Sequence, residues 1–153
     1  MKKMIQNTCL AALCLCVALS LYGQTYTPQY FKAAGSPANP KVKASWNHYH
    51  TNAGIEALCK EMVKAYPNLV KLESIGKSVG NRDIWVLTVS DFTKGNPDRK
   101  PAMWVDANIH GNEIQGTEMG LYIAWYLTEN FKDNAFIQEL LEQKTFYINP
   151  TIN

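Results

Sequence analysis

The sequence predicts an α/β fold: a partial mixed twisted sheet with flanking helices. Two short runs rich in apolar residues, 69–75 and 84–89, flank a Gly-Asn turn and read as a β-hairpin. Two further strand-like runs, 103–109 and 145–148, are separated by two helical patterns. Strand, helix, helix, strand is a crossover, so these strands run parallel with a right-handed connection. An antiparallel pair and a parallel pair make the sheet mixed, and helices must cover it.

Taken in order, the chain begins with Lys2 and Lys3 followed by the apolar run Cys9 to Leu19. That run has the length of a signal-peptide core and is too short to span a bilayer comfortably. Residues 1–23 therefore read as a signal peptide, with small residues at Ala18 and Ser20 and a poorer stop at Gly23. An uncleaved anchor is the alternative. A lipoprotein is set aside, because Leu13 and Leu15 stand before Cys14 and Cys16, where a small residue is needed. The expected location is secreted or periplasmic, with no stable membrane anchor.

Loss of Lys2 and Lys3 reduces 15 basic residues to 13, equal to the 13 acidic ones. A formally neutral chain gives no reason to expect a nucleic-acid partner. Of the 4 cysteines only Cys59 remains, so no internal disulfide is available. Cys59 reads as a buried helix residue, a small hydrophobe.

Residues 24–47, with prolines at 28, 37 and 40, show no period and read as an extended leader before a domain at 48–153. His48 and His50 alternate as on a strand. With no third donor close by in sequence, they read as a surface or packing pair. Thr51 is a candidate N-cap. Ile55, Leu58, Cys59, Met62, Val63 and Tyr66 then form one apolar stripe of helical period, ended by Pro67. The hairpin strands follow, with a turn at 77–82, then a polar loop at 91–100.

The strand at 103–109 is apolar except for Asp106 and Asn108, which predicts burial on both faces. The helix after it is apolar over much of its circumference, which predicts packing on both sides. A shorter helix at 133–143 shows Phe136, Ile137, Leu140 and Leu141 on one face.

The candidate site is His110-Gly111-Asn112-Glu113, at the junction of that strand and helix. A catalytic zinc takes three nitrogen or oxygen ligands plus water. A histidine and a glutamate three residues apart are weak evidence alone, and their position strengthens it. His110 lies past the C-terminal end of a strand, where ligands bind in α/β sheets. Gly111 permits a sharp turn there. Glu113 lies where the helix begins, and the helix dipole favours its ionised form. His110 and Glu113 are therefore candidate zinc ligands. The bland alternative is an N-terminal glutamate beside a capping histidine. Asp106 and Asn108 either orient His110 or sit as polar residues in a wet pocket.

Three motifs, residues 75–87 (IGKSVGNRDIWVL), 108–116 (NIHGNEIQG) and 147–153 (YINPTIN), resemble the zinc carboxypeptidases of the carboxypeptidase A/B type in order and spacing. The likeness covers about His50 to Asn153. It implies that His110 and Glu113 are two of three zinc ligands and that the fold is the N-terminal half of a zinc carboxypeptidase. The implied reaction is removal of a C-terminal amino acid from a peptide, so the partner is a peptide C-terminus.

That family's third zinc histidine, its substrate-binding arginines and asparagine, its tyrosine and its general-base glutamate have no counterpart here. No catalytic residue is therefore expected within the chain, and residues 48–153 read as the N-terminal part of a peptidase domain. Arg82 matches a family position in the hairpin turn that is not catalytic. Asn112 stands where digestive members have arginine, which removes one accessory carboxylate contact; with the specificity residues without counterpart, the substrate is open between protein C-termini and cell-wall peptides. With two protein ligands, the 153 residues alone are expected to be inactive and poorly soluble. The alternatives are a zinc deacylase or amidase acting on N-acyl amino acids, or a non-catalytic binding module on a peptidase scaffold.

Overall fold

The computed structural model describes residue 30 and residues 32–153, so the predicted signal peptide lies outside the described residues. The elements are α1 (Asn52–Ala65), β1 (Val70–Lys77), β2 (Asp83–Val89), β3 (Ala102–Asp106), α2 (Ile114–Asn130), α3 (Ala135–Gln143) and β4 (Thr145–Asn149). Short 3-10 turns at Phe92–Lys94 and Pro97–Arg99 fill the loop between β2 and β3. The strands form one four-stranded sheet in the order β1-β2-β4-β3. β1 and β4 pair antiparallel with β2, and β3 pairs parallel with β4. The mixed sheet, the hairpin and the parallel crossover follow the sequence prediction.

Local chemistry explains the helix starts. The Thr51 hydroxyl accepts from the Gly54 N–H at 3.2 Å, a cap that contributes about 1 kcal/mol. The stripe behind it, Ile55, Leu58, Cys59 and Met62, is buried. Asn134 caps α3 by accepting from the N–H groups of Phe136 and Ile137. Ile137 and Leu141 then face the core.

α2 lies close against the sheet because two of its residues lack side chains. A Cβ at Gly120 would stand 3.4 Å from Ile148 Cγ2, and one at Gly116 would stand 3.2 Å from Ala107 Cβ. The opposite side of α2 is covered by the extended segment before α1. Trp125 Nε1 donates to the Val42 carbonyl at 2.8 Å, and the Tyr122 hydroxyl donates to the Ala34 carbonyl at 3.1 Å. α2 is thus packed on both sides, as its apolar circumference predicts. Val42 and Ala44, in the stretch read as a leader, belong to the core itself.

β3 differs from its prediction. It was expected to be buried on both faces, but Met103 is 58% and Trp104 51% exposed. The reason is topological: β4 inserts between β2 and β3 and takes the central position, which leaves β3 as an edge strand among the described residues. β3 is also shorter than its apolar run. It ends at Asp106, and Asn108 has φ +55°, which no strand accommodates. Likewise β1 does not stop at Gly76 but continues to Lys77 through an irregular register after Ser74.

Candidate metal centre

The strand order places the parallel pair β3 and β4 side by side, with their C-terminal ends together. The chain turns at Asn108, runs through His110 and Gly111, and enters α2 at its N-cap, Glu113. The N-cap position is informative. A carboxylate there ordinarily accepts an N–H from the first helical turn. Glu113 makes no such bond. Its carboxylate instead folds back, with Oε1 3.0 Å from His110 Nδ1 and Oε2 accepting from the His110 main-chain N–H at 3.2 Å.

Both side chains are open to solvent, at 76% for His110 and 54% for Glu113. The carboxylate holds the imidazole above the usual histidine range. The imidazole hydrogen bond, with the main-chain one, holds the Glu113 carboxyl below the usual carboxylate range. Each group favours the charged state of the other.

The donor set suits zinc. Neighbouring ligand atoms in a tetrahedral zinc site stand about 3.3 Å apart, given bond lengths of about 2.0 to 2.1 Å. The nitrogen and oxygen here are 3.0 Å apart. Among the described residues, no group of three or more His, Cys, Asp or Glu side chains is placed to hold a metal. The pair is therefore not a complete catalytic set within the described residues.

Of the two readings of Asp106 and Asn108, the structure favours the one in which neither orients His110. Asn108 does not reach His110. Its amide donates to Thr151 Oγ1 at 3.1 Å and to the Asn153 main-chain oxygen at 2.9 Å. Asp106 ends β3 as an exposed residue, and the His110 nitrogen meets Glu113 rather than Asp106.

Two carboxylates escaped the sequence analysis. His50 Nδ1 is 2.7 Å from Glu118 Oε2, and Glu118 Oε1 accepts from the His50 main-chain N–H at 2.6 Å. The His48 ring lies beside His50, with centroids 4.8 Å apart. Glu129, buried near the end of α2, accepts from the main-chain N–H groups of Lys41 and Val42. The signal for Glu129 was present: a charged residue stands one turn beyond Trp125 on a largely apolar helix.

Residues 55–153 match the family profile for zinc carboxypeptidases. The chain belongs to the zinc carboxypeptidase family. Among curated relatives, carboxypeptidase M of Mus musculus is 34% identical over 114 residues, 74% of this chain and 26% of that protein. Carboxypeptidase D of Homo sapiens is 27% identical over 136 residues, 89% of this chain and 10% of that protein. The structure of thrombin activatable fibrinolysis inhibitor superposes with a TM-score of 0.64 at 26% identity, covering 77% of this chain and 29% of that one. The chain thus spans about a quarter or less of the length of these curated relatives. Among its described residues, no helix is long and apolar enough to cross a membrane.

Proposed function

We propose that the protein is an exported zinc-dependent carboxypeptidase that removes C-terminal amino acids from peptides, with His110 and Glu113 as two of its zinc ligands. The observation that carries this reading is the Glu113 carboxylate. It forgoes the helix cap and lies 3.0 Å from His110 Nδ1 at the open end of a parallel strand pair. Membership of a zinc carboxypeptidase family supplies the chemical context.

In this reading zinc, when bound, supplies Lewis acidity and lowers the pKa of water. The chain's own part is to present the His110 ring nitrogen and one Glu113 oxygen side by side, with the proton between them released when the metal binds. The turn at Asn108 and the start of α2 fix where they point. Further donors and the groups that bind the peptide's terminal carboxylate complete the site. Export follows from the signal-peptide reading of residues 1–23.

The test uses the intact protein and a furylacryloyl dipeptide. Release of the C-terminal amino acid should stop on treatment with a metal chelator and return on addition of zinc. Hydrolysis that survives complete chelation, or release of the acyl group alone, would refute the proposal.

A further inference from the structure

The chain leaves β3 at Asn108 with φ +55°. This left-handed conformation disfavours side chains, and asparagine is among the few residues that accept it, through local hydrogen bonds of its own. Here those bonds run to another segment. Nδ2 of Asn108 donates to Thr151 Oγ1 at 3.1 Å and to the Asn153 main-chain oxygen at 2.9 Å. Asn153 answers: its Nδ2 donates at 3.1 Å to the carbonyl of Ile109, the residue before His110. Beneath them, the Ala107 N–H donates to the Asn149 carbonyl and the Ile152 N–H to the Ala107 carbonyl, each at 3.1 Å.

Residues 107–109 are thereby bound to 149–153 beyond the last rung of the sheet. From the other side, the helix start is close as well. A Cβ at Gly116 would stand 3.4 Å from the Asn108 nitrogen, so α2 begins directly over this turn. His110 and Glu113 contrast with this. Their side chains are exposed, and their hydrogen bond is to one another. The direction of the pair is inherited from the anchored backbone on either side of it.

We infer that Asn108 and Asn153 are positioning residues for the His110–Glu113 pair. Two bonds, from Asn108 to the Asn153 main-chain oxygen and from Asn153 to the Ile109 carbonyl, hold the imidazole and the carboxylate on one side of the strand end before any metal arrives. The inference rests on His110 and Glu113 being ligands. Its physical basis is preorganisation: a loop free to wander would have to be ordered on binding, and that cost would appear as lost affinity. Groups that orient metal ligands typically contribute about 10-fold to 100-fold in metal affinity.

The experiment measures zinc affinity of the intact protein by chelator competition, and the visible absorption spectrum after cobalt substitution, with thermal melting alongside. Asn108→Gly keeps the left-handed turn and removes the amide. Asn153→Ala removes the other half of the bridge from an exposed residue. Each should weaken zinc binding by about 10-fold and alter the cobalt spectrum. The double variant should bind zinc more weakly than either single, because each amide makes hydrogen bonds of its own and neither substitution removes the other's. If Asn108→Gly does not fold, Asn153→Ala carries the test alone. Zinc affinity within about twofold of the parent, with an unchanged cobalt spectrum, would overturn the inference. His110→Ala separates the two readings. If it loses the metal while the asparagine variants keep theirs, positioning fails and ligation stands. If it keeps the metal, the ligand reading is wrong.

Discussion

The Glu129 carboxylate accepts the main-chain N–H of Val42 at 2.7 Å, across 87 residues of sequence. Its other oxygen accepts from the Lys41 N–H at 3.0 Å. Burial, with the Glu129 carboxylate nearby, pushes the Tyr66 pKa up. One buried side chain thus fastens the extended segment to α2. Glu129→Ala leaves main-chain donors without an acceptor and should cost about 2 to 4 kcal/mol, read as a lower denaturant midpoint. Glu129→Gln retains one acceptor oxygen and should cost less. An unchanged midpoint in Glu129→Ala would show that the carboxylate's bonds to the segment contribute nothing to stability.

Cys59 yields a prediction about pH. Burial pushes its thiol from 9.0 up to about 12, with the nearby Glu56 charge adding to the effect. Between those values the folded chain keeps a proton that the unfolded chain has lost. Stability therefore falls as pH rises through this window, by up to about 1.4 kcal/mol per pH unit. Denaturant titrations at pH 9 and pH 10.5 should show a steeper loss for the parent than for Cys59→Ala. At pH 8 the native thiol should resist a disulfide reagent and react only on unfolding.

The His50–Glu118 contact, 11% and 15% exposed at the side chains, ties the entry of α1 to the second turn of α2. Glu118→Gln should destabilise the fold by about 1 to 2 kcal/mol, because the carboxylate accepts from both the ring and the main chain of His50. Combining it with His50→Ala should give less than the sum of the single losses in a double-mutant cycle. Strict additivity would mean that the two residues act independently.

Much of the fold was legible because its signals are local. The period of Ile55, Leu58, Cys59 and Met62, the cap at Thr51 and the turn between β1 and β2 each follow from a few consecutive residues. The burial of β3 was misread because apolarity shows what a strand can pack against, not its place in the sheet. That place was decided by β4, about 40 residues later in the chain. The bonds of Glu118, Glu129 and Asn108 were not legible, since each joins segments more than 40 residues apart and leaves no periodic trace. At the candidate site the residue types and the strand-to-helix junction were readable. The diversion of Glu113 from helix cap to histidine partner was not, because sequence gives a carboxylate at the N-cap position without its direction.

Metal content is the most direct measurement of the central claim. The intact protein, purified without chelator and exhaustively dialysed, should carry about one zinc per chain. Glu113→Gln and His110→Ala should each retain less than about one tenth of that, because loss of one protein ligand leaves an ion too weakly held to survive dialysis. Full zinc occupancy in the folded Glu113→Gln protein would contradict the assignment of His110 and Glu113 as a metal-binding pair.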